Sequence, residues 1–265
     1  MKWLWGTIAV VAAVAVGVVI GFNCGGKSKM SDIKQTDPDI VAVLDNFIKN
    51  DVETRGNLSR DMRHYIVIGA HVATQSRDGL RAQINSALDD GIDPVAIKEV
   101  VYHAIPYVGL AKVYDSIVLT NEVFAERGIK LPLASQATVA SDTDARMTAG
   151  TQTQGAVIGG PDAVVARHAA ALPDLAHIED FLTQNCFGDY YSRNGLDFKT
   201  RELLTLVLLV SMGGADAQVR GHVAGNLNVG NGRDVMVDAV TQLVPYIGYP
   251  RTLNAISAIN ELTAN

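Results

Sequence analysis

The sequence predicts an all-α protein built from two copies of one helical unit, set behind an N-terminal apolar segment. Three observations carry this. The chain repeats itself: Leu58 opens LSRDMRHYIVIGAHV and Leu196 opens LDFKTRELLTLVLLV. Arg63 answers Arg201 at a separation of 138, while Gly91, Pro106, Tyr107 and Gly109 answer Gly230, Pro245, Tyr246 and Gly248 at 139. A repeat this long marks a duplicated domain, not a solenoid unit. Apolar residues recur at helical spacing in both copies, and no hairpin signal interrupts them.

The first element is a run without charge, Trp3 to Phe22, preceded by Lys2. It is long enough to span a bilayer and also resembles a signal peptide. Residues 1–30 are therefore expected to be an export signal or membrane anchor, with localisation at the periplasm or cell envelope. Cys24 stands where a lipoprotein cysteine could lie, although Gly21, Phe22 and Asn23 make a poor lipobox. The bland reading, a buried N-terminal helix, is disfavoured because the run has no polar face. Gly21–Ser28 reads GFNCGGKS and fits a phosphate-binding loop. That loop needs a short strand before it and a helix after it. The apolar run is too long and KMSDIKQTDPD opens no apolar stripe, so the nucleotide reading is set aside.

The first unit is placed at 38–130. Its helix Leu58–Ala73 contains the apolar run Tyr65–Ala70, which alone could also be a buried strand. Asp93 is the expected N-cap of the next helix, with Pro94 at its first position. Ile97, Val100, Val101, Ala104, Ile105 and Val108 then form one apolar stripe. Pro106 should break or kink the chain, and Leu110–Glu126 follows as a helix. Residues 131–145 are assigned to a linker, because Ala134–Gly160 is rich in Ser, Thr, Gly and Gln, with room for one short helix. The second unit, 146–265, repeats the pattern. Asp197 caps Leu196–Val210, Met236 to Ile247 carries the matching stripe, Pro245 matches Pro106, and Thr252–Leu262 closes the chain. Gly91 and Gly230 fit the ends of the helices before them.

Apolar residues make up 48% and charged residues 19%, so the chain can form ordinary globular cores. A net charge of −6 and the lack of a basic stripe exclude nonspecific nucleic-acid binding. Cys24 and Cys186 are the two cysteines; the units therefore hold no internal disulfide and no C-x-x-C pair. No His/Cys/carboxylate grouping has metal-ligand spacing, so no metal and no cofactor is assigned.

The run FGDYYSRNGLDFKTRELLTLVLLVSMGG, continued by GHVAGNLNVGNGRDVMVDAVTQLVPYIGYPRTLNAISAINE, resembles the carboxymuconolactone decarboxylase family. Arg146, Met147 and Gly150 resemble its entry segment, and ALDDGIDPVAIKEVVYHAIPYVGLAKV carries a weaker likeness in the first copy. The resemblance implies two tandem helical domains like that of alkyl hydroperoxidase D, and a homo-oligomer such as a trimer or hexamer. It leaves the activity open, since that fold serves lactone decarboxylases and thiol peroxidases alike. The peroxidase pattern places Cys-x-x-Cys four residues before a His, with a Glu one helix earlier. His222 and Glu202 match, but the cysteine positions hold Ala215 and Gln218 here, and Ser76 and Gly79 in the first copy. The attacking and resolving thiols are missing. Cys186, outside the motif, reads as a core residue.

The decarboxylase reading implies a cyclic lactone bearing carboxylates. Loss of CO2 leaves an electron pair that spreads into the lactone carbonyl and then takes up a proton. Such a site needs a cation or N–H donors, a general acid/base and little water. His222 is the leading acid/base, and Glu202 could orient it. Arg201 could hold a substrate carboxylate and Tyr246 could donate to the lactone oxygen. Both recur, as Arg63 and Tyr107, so each reads more readily as scaffold, a helix-end ion pair and a buried tyrosine, than as catalytic. Glu202 could simply favour a helix dipole. His103 lies in EVVYHAIPYVG, where the resemblance implies a His, and the second copy has Gln242 there. A composite site, with His222 and His103 from different copies, follows as the sharper expectation; drift after duplication is the bland one. The functional expectation is a carboxy-lyase acting on a small carboxylated substrate. The alternatives are a noncatalytic small-molecule binding or assembly protein on the same fold and, behind it, a peroxidase.

Overall fold

The structure, a computed structural model, describes residues 29–264. The expected signal or anchor at Trp3–Phe22, Cys24 and the Gly21–Ser28 loop lie outside the described residues. All regular elements of the described chain are helices, with no strand among them. The first half comprises α1 (Lys29–Thr36), α2 (Pro38–Asn46), a π-helical segment Phe47–Val52, α3 (Arg60–Ala73), α4 (Arg77–Asp89), α5 (Pro94–His103), α6 (Ile105–Val108) and α7 (Leu110–Glu126). The second comprises α8 (Thr143–Ile158), α9 (Pro161–Ala170), α10 (Ala176–Phe181), a longer π-helical segment Leu182–Tyr191, α11 (Phe198–Met212), α12 (Asp216–Asn228), α13 (Arg233–Ile247) and α14 (Tyr249–Thr263). No described helix is long and apolar enough to cross a membrane.

The caps fall where the sequence puts them. Asp93 accepts the N–H of Val95, and Asp197 accepts that of Thr200, both at 2.9 Å. The continuous apolar run Leu203–Val210 is helix rather than strand. It is buried on every side because α11 lies at the centre, packed against α3, α12, α13 and α6. The two prolines differ in effect. The chain interrupts its helix before Pro106, separating α5 from α6, whereas α13 continues through Pro245.

The Ser/Thr/Gly/Gln-rich stretch is not all linker. Residues 143–158 form the four-turn helix α8, which packs along the second π-helical segment. Its small residues are an interface. A side chain at Gly150 would collide with the carbonyl of Thr183, and one at Gly188 would strike the backbone of Arg146. Close backbone approach, not chain flexibility, explains the composition.

The two repeats share their cores. Leu204 and Leu208 of α11 pack into the cluster built around α4, α5 and α7, while Ile66 and Ala70 of α3 pack into the cluster around α12, α13 and α14. Contacts follow a pseudo-twofold pattern. Helix α3 meets α11, α13 reaches the first π-helical segment, and α5 and α6 reach the second. Each repeat thus lends its proline-bearing helix to a wall of the other.

Candidate active site

A cavity of about 690 Å³ opens where that exchange occurs in the second repeat. The second π-helical segment brings Cys186, α11 brings Leu209, α12 brings Gln218 and His222, and α6 of the first repeat brings Tyr107. Gln154 from α8 and Arg167 from α9 complete the polar lining.

Glu202 and His222 meet. The Glu202 carboxylate is wholly buried, and its Oε1 lies 2.7 Å from His222 Nδ1. The imidazole edge is still 18% exposed and lines the cavity. Tyr191 donates its hydroxyl to Glu202 Oε2. A buried carboxylate is tolerable only when paired in this way. Gly225 makes room for it, since a Cβ there would run into Glu202 Oε1. Asn226 ties the helices together, donating Nδ2 to the carbonyls of Glu202 at 3.1 Å and His222 at 2.7 Å. With Nδ1–H given to the carboxylate, Nε2 is the ring nitrogen left to exchange a proton with a molecule in the cavity.

His103 joins this cluster from the first repeat without reaching the cavity. Its Nε2 lies 3.0 Å from Thr205 Oγ1 and 2.9 Å from the carbonyl of Arg201. Thr205 Oγ1 in turn lies 2.7 Å from the Tyr191 hydroxyl. One proton arrangement links them: His103 Nε2–H is shared between the Arg201 carbonyl and Thr205, Thr205 donates to Tyr191, and Tyr191 donates to Glu202, which leaves His103 Nδ1 buried without a partner. His103 is fully buried, and burial, helped by the Arg201 charge, holds its pKa well below the ordinary 6.5. It is therefore a neutral anchor at the far end of a chain ending on Glu202.

Arg201 and Tyr246 stand elsewhere. Arg201 is completely buried and does not line the cavity. Its guanidinium lies 3.0 Å from Glu99 Oε2 and donates to the carbonyls of Arg193 and Asn194 at 2.9 and 2.8 Å. Glu99 also receives Arg193. This is an ion-pair network that ties α11 to α5 and to the end of the π-helical segment. Tyr246 lines a different cavity, in the first repeat. Its counterpart Tyr107 occupies the place beside His222, with ring centroids 6.0 Å apart. A duplicated sequence does not reveal that the proline-bearing helices are exchanged, so the tyrosine nearest His222 comes from the other copy.

Tyr191, Thr205 and Arg167 were not legible as site residues. Tyr191 sits in QNCFGDYY and carried no signal beyond its aromatic ring; Arg167 reaches the cavity through a helix remote in sequence. Cys186 is buried but faces the cavity, and its thiol donates to the Tyr107 hydroxyl at 3.4 Å. Burial pushes its pKa up to about 12, so it stays protonated. Ala215 and Gln218, at the two cysteine positions of the peroxidase pattern, also line this cavity. Among the described residues no three His, Cys, Asp or Glu side chains converge as metal ligands.

Residues 38–122 and 176–261 each match the carboxymuconolactone decarboxylase family. The two segments start 138 residues apart, the register of the repeat. Over 100 residues the chain is 24% identical to a 4-carboxymuconolactone decarboxylase of Acinetobacter baylyi, a stretch covering 38% of this chain and 75% of that protein.

Proposed function

The chain belongs to the carboxymuconolactone decarboxylase family, and from that premise we propose that it is a cofactor-free carboxy-lyase acting on a small carboxylated lactone or a related unsaturated acid. The observation that carries the reading is the Glu202–His222 pair, buried on the carboxylate side and open on the imidazole side. Arg167 supplies the cation that the cavity wall offers to a substrate carboxylate. It also carries a second role, holding Glu179 at 2.5 and 3.1 Å.

In the reaction the bond to a substrate carboxylate breaks and CO2 leaves. The electron pair moves into the lactone carbonyl as an enolate. Tyr107, whose hydroxyl is kept protonated by burial, donates a hydrogen bond to the developing oxyanion. Protonated His222, balanced by Glu202, then delivers its Nε2 proton to carbon. The proposal includes export or anchoring through residues 3–22 and a homo-oligomeric assembly.

The test is CO2 release from carboxylated lactones by the full chain. Release that falls about 100-fold or more in His222→Ala, the usual range for loss of a general acid/base, supports the reading. Ligand-induced stabilisation with no release from any candidate would move the assignment to a binding protein.

A further inference from the structure

The exchange of helices builds a second cavity, of about 460 Å³, at the pseudo-equivalent place in the first repeat. In the 138/139 register His64 replaces Glu202, Gln83 replaces His222, Gln242 replaces His103, Tyr246 replaces Tyr107 and Ile48 replaces Cys186. All five line this cavity or its wall. Gln242 of the second repeat donates to the carbonyl of Val52 at 3.2 Å and lines the wall from the other copy, whereas its counterpart His103 lies behind the His222 cavity.

The acid/base chemistry is gone here. His64 Nε2 lies 2.7 Å from Asp90 Oδ2, and Gln83 Nε2 lies 2.8 Å from His64 Nδ1. Gln83 donates to Nδ1 and Nε2–H donates to Asp90, so both ring nitrogens are occupied. Neither is left to carry a proton to a ligand.

An uncompensated cation has appeared in its place. Arg63 is the counterpart of Arg201 and repeats its backbone contacts, donating Nη2 to the carbonyls of Arg55 at 2.9 Å and Gly56 at 3.4 Å. Both arginines leave a buried Nη1 without a hydrogen-bond partner. The difference is charge. Arg201 has Glu99 at 3.0 Å. The residue 139 further on from Glu99 is Asp238, one methylene shorter, and its carboxylate accepts the N–H of Asn57 at 2.8 Å instead. Among the described residues Arg63 has no carboxylate partner, yet it lines the cavity, as does Arg60, whose Nε lies 3.7 Å from Asp61 Oδ1 at the surface. Glu53 and Asp90 are the acidic groups in the same wall, Asp90 being engaged by His64. Arg63 is partly exposed, but its Nη1 is buried without a partner, and a planar anion that takes that free edge would supply both the hydrogen bond and the missing counter-charge.

We propose that this cavity is a second, noncatalytic ligand site for a small organic carboxylate, seated on the Arg63 and Arg60 guanidiniums beside the Tyr246 hydroxyl. The site is independent of whether the His222 cavity turns over a substrate. It gives the duplicated fold one cavity built for proton transfer and one built for binding.

Titration calorimetry of the full chain with succinate, and with neutral succinamide as control, tests this. The expected result is binding of succinate but not succinamide, weakened about tenfold or more (about 1.4 kcal/mol) in Arg63→Gln and in Arg60→Gln, and unchanged in His222→Ala. Arg63 also holds backbone carbonyls, so its variant is checked by thermal melting. If it fails to fold, Arg60→Gln, altered on an exposed side chain, decides. No succinate binding by the parent chain, equal binding of succinamide, undiminished binding in the folded arginine variants, or loss in His222→Ala would each overturn the proposal.

Discussion

Thr205 Oγ1 of the second repeat lies 3.0 Å from Nε2 of His103 in the first. Through that contact the two copies share one buried polar chain, which runs on by way of Tyr191 to the Glu202–His222 pair. His222 stands at the open end of this chain and His103 at the closed end.

The two histidines are therefore expected to behave differently when replaced. His103→Gln, which installs the residue the second copy carries, and Thr205→Val should each lower turnover by about 3- to 30-fold, since they act on Glu202 through one hydrogen-bonded path. Combined, they should cost little more than either alone, because residues in one network are not additive. Steady-state rates of the two single variants and the double variant measure this. Full additivity would mean that the path through Thr205 does not couple His103 to the pair.

Gly225 and Gly221 lie on the same helix and should give opposite results. An added Cβ at Gly225 meets the Glu202 carboxylate and Val157, whereas at Gly221 nothing lies within 4 Å. Gly225→Ala should destabilise by about 1–3 kcal/mol through overpacking and lose most turnover by displacing Glu202. Gly221→Ala should stabilise by up to about 1 kcal/mol, as a helix glycine relieved of its backbone entropy does. Denaturant midpoints decide between them; equal behaviour of the two would contradict the packing.

Glu99 is 1% exposed and faces the wholly buried Arg201. Glu99→Ala should cost about 3–5 kcal/mol, the usual penalty for stripping a buried charge of its partner. The loss should appear in the melting temperature and in the amount of folded protein. A variant as stable as the parent would mean that Arg201 is not held by this pair.

Acid should weaken the fold through two histidines, the fully buried His103 and the partly buried His71. Burial holds His71 at about 4 and His103 well below 6.5. Their unfolded forms protonate near 6.5, so between the folded and unfolded pKa values the unfolded chain binds more protons. The stabilisation is complete above about pH 6.5 and is lost as pH falls below that value towards the folded pKa values. Urea unfolding at several pH values between neutrality and pH 4.5 should show the decline, and His103→Gln should make it shallower. An unchanged pH dependence in that variant would remove His103 from the account.

The sequence by itself determined the all-α class, the duplicated unit and the capped helix starts at Asp93 and Asp197. These depend on local spacing and on register within one repeat, which the chain states directly. It misread Ala134–Gly160 as mostly linker, because small residues that allow backbone contact look the same as residues that give flexibility. The resemblance nominated Glu202 and His222, and the structure brings them together; only the tertiary structure decided which tyrosine faces His222, where Arg201 spends its charge, and how His103 reaches Glu202. Those three outcomes follow from one event, the exchange of proline-bearing helices between repeats. It joins residues about a hundred positions apart, such as His103 and Thr205, and no local pattern encodes which copy supplies each wall.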